Sequence, residues 1–278
     1  MSVVTRFAPS PTGRLHLGHA FAALVAFDMA TRTGGRFLMR IEDIDEGRAR
    51  DEFVTAIADD LAWLGITWDT PVRRQSDHFA DYAAALDKLD LAGLLYPCTC
   101  TRADIAASAE APQGPLGLVY PGTCRGRPKE LQEDIRNGTR PFVLRLDMGA
   151  ALAHVGGHLS FCETGPAHSG EITANPAPFG DIVLARKDFP ASYHLSVTVD
   201  DALQGVTLVT RGEDLYPATH VHRLLQALLD LPVPDYLHHR LIRDAAGRRL
   251  AKRDKDATLA SLREAGTTPE QVRGLVGI

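Results

Sequence analysis

The chain has 278 residues, of which 45% are hydrophobic and 23% charged, with a formal net charge of −5. That length buries the core of one large or two smaller domains, and the balance is that of a soluble globular protein. No apolar run is long enough to span a bilayer, and the acidic charge argues against a broad nucleic-acid binder, which meets phosphates with many Lys and Arg. Any RNA contact is therefore local, at clusters such as Arg125, Arg127 and Lys129 or the stretch from Arg240 to Lys255.

In chain order, the opening MSVVTRFAPS has no basic stretch followed by an apolar one. No signal peptide is expected, and the expected location is the cytoplasm. Val3, Val4 and Phe7 predict a strand over 2–7. A Pro-Ser-Pro-Thr-Gly turn at 9–13 and His16-Leu17-Gly18-His19 then lead into a helix over 20–31. After Gly34-Gly35 comes a second apolar strand over 36–41. Phe53, Ile57, Leu61 and Leu64 mark one face of a further helix, and Tyr82, Leu86 and Leu89 another. This βαβ alternation predicts a doubly wound parallel sheet with ligands at the carboxyl ends of its strands.

Residues 96–180 break the pattern. They carry all four cysteines with many Gly and Pro, and read as an insertion whose clearest strand is 142–146. The α/β signal returns at Asp181. Residues 182–185, 194–199 and 206–210 read as strands, and 219–231 as a helix with Val221, Leu224, Leu225 and Leu228 on its apolar side, ended by Pro232 and Pro234. The remainder, 235–278, reads as a strand-like piece, a basic loop and one or two short helices. The domains expected are thus 1–95 and 181–234 as two halves of a catalytic unit, 96–180 as the insertion and 235–278 as the tail.

Three groups of residues carry chemistry. The first is His16-Leu17-Gly18-His19, where two imidazoles can donate to phosphate oxygens. Gly18 admits a flat base close to the backbone, and the helix start adds free N–H groups and partial positive charge. The second is the basic loop Arg248-Arg249-Leu250-Ala251-Lys252-Arg253, preceded by Gly247. A mobile lysine there can stabilise charge on a triphosphate under attack. The third is Cys98-Thr99-Cys100 with Cys124 and Cys162, which in a reducing compartment are metal ligands or free thiols rather than disulfides. From the residues alone, Cys162 is the natural fourth ligand.

The first two groups resemble the paired signatures of the class I aminoacyl-tRNA synthetases, with Arg249 and Ala251 departing from the second. The stretches Arg6–Gly13, Arg40–Asp45, Tyr193–Asp201 and Thr210–Leu215 resemble the glutamyl-type members, in order, from Val4 to about Lys252. The resemblance implies a Rossmann-type α/β catalytic domain. It implies ATP bound by His16, Gly18, His19, Leu250 and Lys252, with His16, His19 and Lys252 acting in the reaction and Mg²⁺ accompanying the nucleotide. It also implies L-glutamate bound by Arg6, Ser10, Glu42, Tyr193 and Arg211. Physically the set is apt, since guanidinium forks suit two carboxylates and Glu42 suits an ammonium. For the metal, the resemblance implies a structural Zn²⁺ on Cys98, Cys100, Tyr120 and Cys124, leaving Cys162 a buried thiol.

A full glutamyl-tRNA synthetase continues well past its lysine loop to read the anticodon, whereas here little chain follows Lys252. The pattern resembles the family of glutamyl-queuosine tRNA(Asp) synthetases. That resemblance implies tRNA-independent activation of glutamate and its transfer to queuosine at the wobble position of tRNA(Asp), by a monomer with no membrane partner. Two other readings stay open at this level: a glutamate ligase acting on another acceptor, and a catalytically idle paralogue that binds adenylate-like ligands.

Overall fold

A computed structural model describes residues 2–108, 113–115, 117–186, 189, 191–242 and 258–278. The first half is β1 (Val4–Phe7), α1 (Leu17–Arg32), β2 (Arg36–Ile41), α2 (Asp51–Trp63), β3 (Asp69–Arg74) and α3 (Phe79–Leu91). After β4 (Leu95–Cys98) and α4 (Arg102–Ala107) come a two-stranded hairpin, β5 (Gln113–Gly114) and β6 (Gly117–Leu118), then α5 (Lys129–Asn137), β7 (Val143–Leu146), α6 (Met148–Val155), β8 (Ser160–Glu163) and β9 (Gly170–Thr173). The chain closes with β10 (Val183–Arg186), α7 (Tyr193–Leu203), β11 (Leu208–Gly212), α8 (Tyr216–Leu229), β12 (Asp235–His239), α9 (Leu259–Glu264) and α10 (Pro269–Val276).

β1, β2 and β3 pair in parallel, as do β11, β12 and β8, with β9 antiparallel on the far edge. The two groups meet at β1 and β11. Thr207 N–H donates to Val4 O at 3.0 Å, and Val4 N–H donates to the Thr207 hydroxyl at 2.9 Å. The order β3-β2-β1-β11-β12-β8 reverses direction between β1 and β11. A doubly wound sheet opens its crevice at such a point, beyond the carboxyl ends of the strands. The expected α/β class is observed. β4, β7 and β10 form a separate antiparallel sheet that carries the cysteine loops.

Two apolar cores flank the parallel sheet. One holds α1, α2, β2 and the C-terminal helices, through Leu24, Ile41, Ile57, Leu61, Leu259 and Val272. The other gathers α3, α6, α7 and α8 around Tyr82, Leu146, Leu195, Val221 and Leu225. The tail is pinned by Arg273, whose guanidinium makes two hydrogen bonds to Asp28 of α1 at 3.0 and 3.1 Å.

Residues 194–199, expected as a strand, lie inside helix α7. Val197, Thr198 and Val199 are β-branched and suggest a strand, but Ser192 caps the N-terminus by accepting from Leu195 N–H. Every residue from Leu195 to Asp201 is buried, so this stretch of the helix has no solvent face and shows no amphipathic period. β3 was not anticipated. Its polar sequence, Asp-Thr-Pro-Val-Arg-Arg, reflects an edge position and ion pairing in place of apolar packing. Helix α1 begins at Leu17, earlier than its apolar pattern, because His16 is its cap.

The turn between α1 and β2 depends on Gly35. A Cβ there would stand 1.9 Å from Val3 O, the atom that accepts Arg36 N–H at 2.9 Å and starts the β1–β2 ladder. Gly35→Ala should destabilise the fold by about 2–3 kcal/mol, the range for a forced backbone shift in a packed site. A drop in urea midpoint at unchanged slope is the readout, and an unaltered midpoint would refute it.

Candidate functional site

The crevice between β1 and β11 is lined by Arg6, Ala8, His16, Gly18, His19, Glu42, Tyr193, Arg211 and Gly212, with Leu241 and Ile242 on its outer side. Strand ends supply Arg6, Glu42 and Arg211, the α1 terminus supplies the histidines, and the first turn of α7 supplies Tyr193. Eight of the residues expected from sequence, His16, Gly18, His19, Arg6, Glu42, Tyr193 and Arg211 in this crevice and Ser10 beside it, are brought together. Ser10 stands in an adjoining cavity on the other side of Glu42 and Tyr193. Leu250 and Lys252 lie outside the described residues. The described ends of their segment do reach the crevice: Ile242 lines it, and Thr258 pairs with His16 while Leu259 N–H donates to Leu15 O at 2.9 Å.

His16 and His19 form a reciprocal cap at the start of α1. His16 Nδ1 accepts Gly18 N–H at 3.1 Å, and His19 Nδ1 accepts His16 N–H at 3.2 Å. Using Nδ1 as acceptor puts the ring proton of the neutral imidazole on Nε2. The two rings stack with centroids 3.8 Å apart, so both imidazoles serve one patch at the helix terminus. Gly18 is required locally as well, because a Cβ would meet His16 Cε1 at 2.9 Å. The result is a short platform of N–H donors at the positive end of a helix dipole, a geometry that binds phosphate.

Beneath it lies a buried charge network. Arg6 makes a two-point contact with Asp201, at 2.9 and 3.4 Å, and donates to Thr210 O at 3.1 Å. Arg40 is fully buried. It lies 2.8 Å from Asp201 and 3.4 Å from Glu42, and donates to Gln204 at 2.9 Å. Asp200, also fully buried, accepts from Arg73 at 2.7 Å, Gln75 at 2.8 Å and Tyr82 at 2.9 Å. A lone buried charge costs several kcal/mol, so these groups persist only as a mutually neutralised set. Reading the sequence assigned no role to Arg40, Asp200 or Asp201. The signal was present as adjacent acids at the end of an otherwise apolar run.

Arg211 differs from Arg6. Among the described residues its partners are the Tyr193 hydroxyl at 3.4 Å, His222 Nδ1 at 3.1 Å, the Thr219 hydroxyl at 2.7 Å and His238 Nε2 at 3.0 Å. None is a carboxylate. His238 passes its Nδ1 proton toward Glu163, 2.5 Å away, and Glu163 also accepts His238 N–H and Gly165 N–H. Burial lowers the pKa of His238, His222 and His194, and for His222 and His194 the nearby Arg211 charge lowers it further. Neutral imidazoles thus orient the guanidinium without cancelling its charge. An incoming carboxylate finds a preorganised guanidinium with one N–H still open among the described residues and with direct partners that are all uncharged.

The cysteines lie away from this crevice, at the end of β4 and in the loop before α5. The Sγ atoms of Cys98, Cys100 and Cys124 all fall within 4.8 Å of one another. Cys100 is 3.5 Å from Cys124, and the Tyr120 hydroxyl is 3.6 Å from Cys100 and accepts Cys124 N–H at 2.7 Å. Burial opposes ionisation of Cys124, but hydrogen bonds from Tyr120, Thr99 N–H and the other thiols bring it down to about 7, while burial pushes Cys100 up to about 11. Three convergent sulfurs can hold a metal ion, and thiolates 2.3 Å from a tetrahedral centre stand roughly 3.8 Å apart, close to this spacing. Cys162 is exposed on β8, which corrects the expectation that it is buried: in β8 alternate side chains turn outward, and Phe161 and Glu163 take the inward positions.

Burial raises the Glu42 carboxyl above its usual range, with Arg40 and Arg6 pulling the other way. An ammonium group binds the ionised form. Affinity for an amino acid should therefore be full above this raised pKa and fall as pH drops through it, starting at a higher pH than for an ordinary carboxylate. Glu42→Gln should remove that dependence and weaken binding at neutral pH about 10–100-fold, the scale of one charged hydrogen bond. Titration calorimetry across pH is the check, and an unchanged profile in the variant would remove Glu42 from the site.

Residues 2–277 match the family model described as tRNA synthetases class I (E and Q), catalytic domain. A glutamyl-Q tRNA(Asp) synthetase of Rhodobacter capsulatus is 54% identical over 99% of this chain and all of that protein. A glutamate–tRNA ligase of Aquifex aeolicus is 37% identical over 96% of this chain, which spans 55% of that protein. Among solved structures, a glutamate tRNA ligase from Elizabethkingia meningosepticum superposes with a TM-score of 0.75 at 26% identity, covering 92% of this chain and 53% of that one. No described helix is long and apolar enough to cross a membrane.

Proposed function

The chain belongs to the class I tRNA synthetases for glutamate and glutamine, and from that premise we propose that it activates L-glutamate with ATP, without tRNA, and transfers the glutamyl group to queuosine at the wobble position of tRNA(Asp). The observation that carries the first half is a single crevice holding the histidine-capped helix start beside Arg211, a guanidinium whose direct partners are neutral. The second half is supported by the full-length likeness to glutamyl-Q tRNA(Asp) synthetases. The place of work is the cytoplasm, where ATP and tRNA meet.

In the first step an α-carboxylate oxygen of glutamate attacks the α-phosphorus of ATP. The new P–O bond forms as the bond to pyrophosphate breaks, and pyrophosphate carries away the electron pair. The enzyme's contribution is position and charge. Arg211 takes the side-chain carboxylate, and Tyr193 donates from beside it. Glu42 holds the ammonium, with Ser10 on its far side, and the two remaining Arg6 N–H groups reach the ligand from the strand below. An amide in place of the side-chain carboxylate carries no charge to meet the uncancelled Arg211 guanidinium, which is the basis for rejecting glutamine. His16 and His19 donate to phosphate oxygens, Gly18 leaves room for adenine, Leu250 is assigned to the same nucleotide, and Lys252 neutralises charge as it builds on the leaving group. Mg²⁺ enters as the counter-ion of ATP. A hydroxyl of the acceptor then attacks the glutamyl carbonyl carbon, forming an ester. AMP leaves with the anhydride electron pair, and the hydroxyl proton passes to its phosphate.

Cys98, Cys100, Tyr120 and Cys124 are assigned to one Zn²⁺. The soft donor set, its closed geometry and its burial in a small apolar cluster suit a structural tetrahedral site. The ion would hold the β4 end and the 120–124 loop together. The Arg145 guanidinium, 3.8 Å above the Tyr120 ring and donating to Asp181 O at 2.8 Å, couples that loop to the sheet.

Purified protein should contain one zinc per chain by elemental analysis. Cys124→Ala or a strong chelator should remove it and lower the melting temperature by several degrees, the shift from a loss of about 1–2 kcal/mol in a domain of this size. Cys162→Ala should keep the metal. Metal-free protein with an unchanged melting temperature would contradict the assignment.

Glutamate-dependent exchange of label between pyrophosphate and ATP, in the absence of tRNA, tests activation. Exchange should be seen with glutamate and not with glutamine or aspartate, and Lys252→Ala should lower it at least ~100-fold, the usual cost of one transition-state donor. No exchange, or exchange with glutamine alone, would overturn the reading.

A further inference from the structure

One cavity of this molecule shares only Ser10, Glu42 and Tyr193 with the residues assigned to activation. It adjoins the nucleotide crevice through a common wall, for Glu42 and Tyr193 line both. Its volume is about 410 Å³, within the range of sites that enclose small ligands. The loop after β2 lines it with Asp45 and Arg48, and the end of β10 with Arg186 and, just beyond the strand, Phe189.

Position constrains what this space can receive. A glutamyl group held by Glu42, Tyr193 and Arg211 has AMP on the histidine side of the crevice. The nucleophile that displaces AMP needs a route from another side, and the adjoining cavity opens onto the same two residues. The walls also have a definite chemistry. Arg48 donates to Asp45 at 2.7 Å, with side-chain exposures of 75% and 44%. Both therefore face solvent at the mouth and can exchange their mutual bond for contacts with a ligand at little cost. Arg186 is exposed, with its guanidinium 5.6 Å from the centre of the Phe189 ring. An aromatic ring with an adjacent guanidinium is a stacking platform for a base. Arg48 and Arg186 both line the cavity, and two guanidinium groups at one opening suit the phosphates on either side of a flipped-out nucleotide. The Asp45 carboxylate in the same lining accepts hydrogen bonds from a vicinal diol. In a chain of net charge −5, arginines at this mouth offer the local contact that overall charge does not.

The geometry points to this cavity as the acceptor site, which takes a diol-bearing nucleoside presented within a nucleic-acid strand: Arg48 and Arg186 hold the flanking phosphates, Phe189 stacks on the base, and Asp45 orients the diol toward the glutamyl carbonyl. This rests on the activation and transfer reading above. The four residues serve the second half-reaction and touch neither glutamate nor ATP.

Arg48→Ala, Arg186→Ala and Asp45→Asn are each assayed in both half-reactions. Pyrophosphate exchange without tRNA should stay within twofold of the parent. Transfer of labelled glutamate to tRNA from queuosine-making cells should fall about tenfold or more in kcat/KM for each, the scale of one charge-assisted contact. For the two arginine variants the dependence of transfer on salt should become shallower by about one counterion. Normal transfer in all three would overturn the assignment, and so would a parallel loss of exchange, which would put these residues in the activation site. Absence of exchange in the parent protein would instead sink the underlying activation reading. Free queuosine nucleoside accepting glutamate as well as the tRNA does, with Arg48→Ala and Arg186→Ala unaffected, would show a small-molecule site and likewise overturn the nucleic-acid assignment.

Discussion

The pairing of Arg6 and Arg40 with Asp201 is the constraint on which the site depends. β1 and β2 each bring a buried arginine to the floor of the crevice, and α7 brings the acid that neutralises both. Without Asp201, two guanidinium groups would be buried side by side, and a site for a dicarboxylate would be replaced by electrostatic strain. With it, Arg6 is half committed, Arg40 is wholly committed to structure, and Arg40 in turn holds Glu42 at the strand end. Asp200 extends the same logic outward to Arg73, Gln75 and Tyr82. One helix end therefore sets the charge state of the entire floor.

Against that neutralised floor, Arg211 keeps its charge available. Its partners are two imidazoles and two hydroxyls, and the nearest carboxylate behind it, Glu163, acts through the His238 ring. The division of labour is physical. Groups whose charge is cancelled position the strands, and a group whose charge is not cancelled lines the crevice. The histidine-capped start of α1 follows the same principle with dipoles in place of ions, since the two stacked imidazoles sit at the positive end of the helix dipole.

Much of this was legible in the residues. The βα alternation, the His-x-Gly-His turn at a helix start and the spacing of Cys98, Cys100 and Cys124 all depend on neighbours close in sequence, and all reappear in the structure as local features. Other features were misread for equally local reasons. The run at 194–199 looks like a strand because a helix buried on every side carries no amphipathic stripe. Cys162 looks like an inert buried thiol because its side of β8 is set by which residues pack beneath the sheet, and Phe161 and Glu163 take those places.

The sequence by itself determined the βα alternation of the first half, the capped helix start and the types of group available to a site. It left open which arginine is free to bind and which is already spent, because that depends on partners as distant as Arg6 and Asp201, 195 positions apart. It also left open that Glu42 and Tyr193 form a wall between two cavities. Only the tertiary structure decided these points. Periodicity and caps act over a few residues along the chain, whereas the cancelling of a buried charge acts through space, between groups that only the folded sheet order brings within reach.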